Sequence, residues 1–98
     1  MANPTVPTSE STGPARFWRE FSSSTTPALG ADIDLTTIEG SNGRAAREVV
    51  MLAQGSLSVL NADGVDCSVA TAMSAGTRLP LQVATILAAQ SVAVLVIW

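Results

Sequence analysis

After Arg78 the chain carries no further charge, and Leu79 to Trp98 is a run of twenty residues whose most polar members are Gln, Ser and Thr. Such a run must be taken out of water, and it has three outlets: a bilayer, the core of a small domain, or a surface covered by another protein. Charge is thin over the whole second half. Residues 1–48 hold six acids (Glu10, Glu20, Asp32, Asp34, Glu39, Glu48) and four Arg, whereas residues 49–98 hold only Asp63, Asp66 and Arg78. A surface that stays soluble alone normally carries roughly a quarter or more charged side chains. The second half falls far below that, so part of it is expected to be covered, in a homo-oligomer or against another subunit. Ninety-eight residues allow one domain with little core of its own.

As a transmembrane helix the run has the right length, since roughly 20 residues span a bilayer. Its composition argues against that use. Gln82, Thr85, Gln90 and Ser91 are spread through it, and "SVAVLVIW" is dominated by β-branched residues that favour a pleated environment. A small tail-anchored protein with residues 79–98 as its membrane segment is therefore the alternative to a β domain.

Alternation supports the β domain. Ser56 and Ser58 alternate with Leu57 and Val59, and "NADG" (61–64) is a turn of the Asp-Gly kind that closes hairpins. In "VDCSV" (65–69), Val65, Cys67 and Val69 share one face. "SAGT" (74–77) is a second turn, and "LPLQVATIL" (79–87) opens with Pro80, tolerated at a strand's first residue or edge. "VAVLVIW" (92–98) is apolar on both faces, as in a strand buried on both sides. Short strands with regular turns predict an all-β fold, a small β-sandwich or barrel of about five strands over residues 47–98. "NGRAAREVVMLAQG" (42–55) reads either as a helix capped by Asn42 and stopped by Gly55, or as a strand from Arg47 to Gln54 that Gly55 turns tightly into "SLSVL". The hairpin favours the strand.

The order "REVVMLAQGSLSVLNADGVDCSV", "SAGTRLPLQVATILA", "SVAVLVIW" resembles the small head spike-base and decoration-type virion proteins of gene transfer agents and tailed phages. The resemblance covers about residues 32–98. Its anchors are Asp63-Gly64, Ala75-Gly76-Thr77, Leu79-Pro80 and Trp98, with "DIDLT" (32–36) matching an upstream acidic element. The chain departs from the pattern in lacking a Gly-Thr before its last strand. The resemblance implies a structural virion protein, assembled in the host cytoplasm and attached to the major capsid protein or another virion subunit as a decoration, cement or spike-base component.

Residues 1–31 match nothing in that pattern. "NPTVPTSESTGP" and "SSSTTPALG" are too rich in Pro, Ser, Thr and Gly to bury enough surface to fold alone. The expectation is an extended N-terminal arm over 1–31, followed by a β domain over 32–98. "PARFWREF" (14–21) holds three of the four aromatics, Phe17, Trp18 and Phe21. They either cap the domain's core or dock the arm onto a neighbouring subunit, as aromatic hot spots do. On the docking reading they are the candidate partner-binding residues, and their removal should release the protein while leaving the β domain folded.

Chemistry is mostly excluded, and no enzyme is expected. Without His, Lys or Tyr, acid–base work would fall to carboxylates alone. Cys67 has no His to activate it, and as the only cysteine it forms no internal disulfide. "NADGVD" (61–66) lacks the later Glu of a calcium loop, and no Gly-rich phosphate cradle exists, so no metal or other cofactor is expected. A net charge of −3 argues against nucleic acid as partner. The first residues show neither a basic nor an apolar segment of the kind that opens a secretory signal.

Overall fold

The computed structural model describes residues 17–98. Among them there is no α-helix, and the expected all-β fold is met, with nine short strands, seven of them within residues 47–98 where about five were expected. They are β1 (Trp18–Phe21), β2 (Ile33–Asp34), β3 (Glu48–Met51), β4 (Gly55–Leu57), β5 (Val59–Asn61), β6 (Val69–Met73), β7 (Arg78–Leu79), β8 (Val83–Ile86) and β9 (Val94–Ile97). All pairings are antiparallel, in a four-stranded sheet β1-β9-β3-β7, a three-stranded sheet β2-β8-β5 and the pair β4-β6. The two larger sheets are tied where Ala46 and Val83 exchange backbone hydrogen bonds at 2.9 and 3.0 Å.

The sheets enclose one core. Phe21, Val49, Met51, Val94, Val96 and Trp98 come from the four-stranded sheet and its end, and Ile33, Val59, Val83 and Ile86 from the three-stranded one. Leu57 of β4 and Leu35 and Ile38 of the β2–β3 connection close it. Leu57 and Val59 flank Ser58, so both reach the core while the chain passes from one sheet to the next. Gln90 pins that passage from inside. Its Oε1 accepts the Ser58 N–H at 2.7 Å, and its Nε2 donates to the carbonyls of Ser56 and Val92.

The charge-free run ends β7 and forms β8 and β9 rather than a helix. β7, β8 and β9 distribute residues 79–98 over both larger sheets, with Val83, Ile86, Val94, Val96 and Trp98 in the core. No described helix is long and apolar enough to cross a membrane. Pro80 ends β7 instead of opening a strand, because a residue without an N–H cannot extend the ladder. β9 is buried on its inner side alone; Leu95 and Ile97 on the other side are half-buried.

Other local expectations are corrected. Residues 42–55 hold the expected strand, as β3, but it makes no hairpin with "SLSVL", since β3 pairs with β9 and β7 while β4 pairs with β6. Gly55 begins β4, and a Cβ built on it would lie 2.6 and 2.7 Å from the two methyl carbons of Val92. The glycine is there for close packing, not for a turn. Val65 does not share a buried face with Cys67 and Val69. It is 56% exposed because it ends the tight 61–65 turn, in which Asn61 Oδ1 accepts the N–H groups of Asp63 and Val65. Part of the expected arm over 1–31 belongs to the domain, since β1 pairs with β9 in the four-stranded sheet. The part of the expected arm before Phe17 lies outside the described residues.

Gly55→Ala should destabilise the fold by about 1–3 kcal/mol through overpacking against Val92. Urea denaturation checks this, and the loss should shrink when Val92→Ala is added, because the two side chains then share one space. Equal stability of Gly55→Ala and the parent would overturn the close-packing assignment.

Candidate functional site

The three aromatics singled out from sequence divide between two environments. β1 pairs with β9 in the register Trp18↔Ile97, Arg19↔Val96, Glu20↔Leu95, Phe21↔Val94. Alternation along a strand then sends Phe17 and Phe21 inward and Trp18 outward. Phe21 is fully buried in the core. Phe17 lies stacked on Trp98 with ring centroids 4.6 Å apart and planes within 7°. Trp98 in turn donates its indole N–H to the Arg44 carbonyl at 3.2 Å and its backbone N–H to the Phe17 carbonyl at 2.9 Å. Removing all three aromatics would therefore damage the domain rather than merely release it. Trp18 alone, at 68% exposed, is a large aromatic facing solvent.

Trp18 lies on the outer face of the four-stranded sheet. The registers build two rows across that face: Trp18, Ile97, Glu48, and then Glu20, Leu95, Val50, Arg78. Leu52, just past β3 and 41% exposed, continues the same side beside Ala93, whose carbonyl accepts its N–H at 3.1 Å. Trp18, Ile97, Leu95, Val50 and Leu52 thus form an apolar stripe on an otherwise open sheet face, with charge at its margins. Sequence reasoning found Trp18 but missed the rest, because Leu95, Ile97 and Val50 are indistinguishable from core residues until the pairing register is known.

Glu48 and Arg78 close one side of the stripe as an ion pair, Arg78 Nε donating to Glu48 Oε2. That hydrogen bond, with the charges of Arg78 and Arg47, holds the Glu48 carboxyl below its ordinary value of 4.5 against partial desolvation. Asp66 is lowered too, by hydrogen bonds from Ser68, whose N–H lies 2.8 Å from Oδ1.

The remaining polar candidates serve the backbone. Asp34 Oδ1 accepts the N–H and hydroxyl of Thr36, capping the short 3-10 turn Leu35–Thr37. Cys67 is half-buried. Among the described residues no group of three His, Cys, Asp or Glu side chains could hold a metal ion. Comparisons with family models, curated proteins and solved structures returned no significant match.

Two measurements test this division. Phe21→Ala should cost about 3–5 kcal/mol as a buried large-to-small change, while Trp18→Ala should leave stability within about 0.5 kcal/mol; chemical denaturation separates them, and a large loss for Trp18→Ala would refute its placement outside the core. The second is acid titration. A carboxyl with a lowered folded value contributes stability that is full above the ordinary value and lost as pH falls through the folded one. Stability should therefore be flat from neutral pH down to just above 4.5 and decline below it, with Glu48→Gln showing a shallower decline in urea midpoints.

Proposed function

We propose that this chain is a structural subunit of a tailed-phage-like particle, seated on the capsid or a vertex as a decoration, cement or spike-base component. The observation that carries the reading is the apolar stripe of Trp18, Ile97, Leu95, Val50 and Leu52 on the outer face of the four-stranded sheet. A large exposed aromatic beside half-buried aliphatics, rimmed by charge, is the composition of a protein-contact surface. The low charge of residues 49–98 supports it, because a subunit covered by neighbours does not need a fully charged exterior. The resemblance of residues 32–98 to spike-base and decoration proteins supplies the kind of particle. Its anchors Asp63-Gly64 and Ala75-Gly76-Thr77 occupy tight turns, where Gly64 and Gly76 adopt φ of 79° and 91°. Glycine takes such angles without the steric cost other residues meet.

Trp18 is the residue assigned to anchor the contact in place of the three aromatics together. Particles banded on a density gradient from a producing culture should carry the chain at a fixed ratio to capsid protein, measured by mass spectrometry. Trp18→Ala should lower its apparent affinity for stripped particles at least about tenfold, equivalent to about 1.4 kcal/mol. A chain found only away from particles, or a Trp18→Ala variant of normal occupancy, would overturn the reading or the anchor respectively.

A further inference from the structure

The two edges of the four-stranded sheet are complementary to each other. β1 is one edge and β7 the other. Along β1, the Trp98 N–H donates to the Phe17 carbonyl, so the hydrogen-bonded pairs with β9 are Phe17, Arg19 and Phe21. In an antiparallel ladder these alternate with residues whose own N–H and C=O point the other way. The backbone groups of Trp18 and Glu20 therefore face away from β9, toward the edge that no described strand pairs. On the opposite side the Met51 N–H donates to the Thr77 carbonyl, which makes Thr77 and Leu79 the residues bonded to β3. The N–H and C=O of Arg78 then face away from β3, toward the edge that no described strand pairs.

Side chains agree with the backbone. Glu20 ends the row Glu20, Leu95, Val50, Arg78 on one edge, and Arg78 ends it on the other. Both are exposed. Arg78 commits Nε to Glu48, which leaves its two terminal nitrogens for a second carboxylate. Strand directions agree as well, because in a four-stranded antiparallel sheet the first and last strands run oppositely. Charges and a proline on edge strands commonly serve to prevent pairing. Here the two edges carry opposite charges at the same level of the sheet, so they attract each other.

We propose that copies of this chain join edge to edge, β1 of one protomer antiparallel to β7 of the next, with Glu20 opposite Arg78. This deepens the structural-subunit reading by naming one partner, a second copy, and rests on that reading only for its biological setting. The junction exchanges the Glu20 and Arg78 N–H and C=O groups, and the apolar stripes of neighbours become one continuous surface. The contact is heterologous, so it closes as a ring or extends as a filament.

A cross-linking experiment on the purified full chain reads the junction directly. Within one protomer Glu20 and Arg78 are separated by three strand spacings, about 14 Å, too far for a disulfide. Across the proposed junction they form a hydrogen-bonded pair about 5.5 Å apart, which suits one. In a Cys67→Ser background, Glu20→Cys with Arg78→Cys should give a covalent ladder of dimers, trimers and higher species on oxidation, while either cysteine alone should stop at the dimer. No ladder from the double variant would overturn the proposal. Sedimentation of the unaltered chain at about 100 μM should show species larger than a monomer, at affinities that electrostatic complementarity makes sensitive to charge reversal. Glu20→Arg should weaken that association at least tenfold without shifting the thermal midpoint. A monomeric parent chain, or Glu20→Arg associating as well as the parent, would equally overturn the proposal. These measurements need no particle, so they can fail while particle binding succeeds, and the reverse.

Discussion

β9 holds the molecule together through its position between β1 and β3. Its inward residues Val94 and Val96 fill the core, and each of its edges carries a full antiparallel ladder. Trp98 extends that role past the strand end by stacking on Phe17 and hydrogen-bonding the Arg44 carbonyl, which fastens the start of β1 and the approach to β3 to one side chain. β8 plays the same part in the three-stranded sheet, between β2 and β5. The charge-free run therefore has a simple cause: it supplies the middle strand of both larger sheets, where a charged side chain pointing inward would face an uncompensated desolvation cost.

Small sheets of two to five residues per strand leave many backbone groups unpaired by ladders, and side chains satisfy them. Gln90, almost fully buried, serves three backbone groups across the passage from β4 to β5. Asn61, Asp32 and Asp34 do the same at exposed turns. These polar residues look like candidate chemistry in a sequence, yet each is explained by a backbone N–H that would otherwise go without a partner. The sheet face around Trp18 and the two sheet edges lie outside such structural work.

An all-β chain was legible because turn residues and alternation are local. Asp63-Gly64 and Ala75-Gly76-Thr77 mark turns wherever they occur, and Val-rich segments such as "VAVLVIW" favour extended backbone through their own sterics. Absence of charge over Leu79–Trp98 likewise marked the segment that gives Val83, Ile86, Val94, Val96 and Trp98 to the core. Pairing was not legible. Gly55 looked like a hairpin turn and is a contact point for Val92; Phe21 looked like part of an arm and is core; Leu95 and Ile97 looked buried on both sides and line an open face. Each of these depends on which strand lies alongside, and a side chain's environment in a sheet is set by partners distant in sequence. The sequence by itself determined strands, turns and a water-shunning C-terminal run, since those follow from each residue's own backbone preference and solvation. Only the tertiary structure decided that β1 joins β9, and with that pairing it separated Trp18 from Phe17 and Phe21 and placed Glu20 and Arg78 on opposite edges of one sheet.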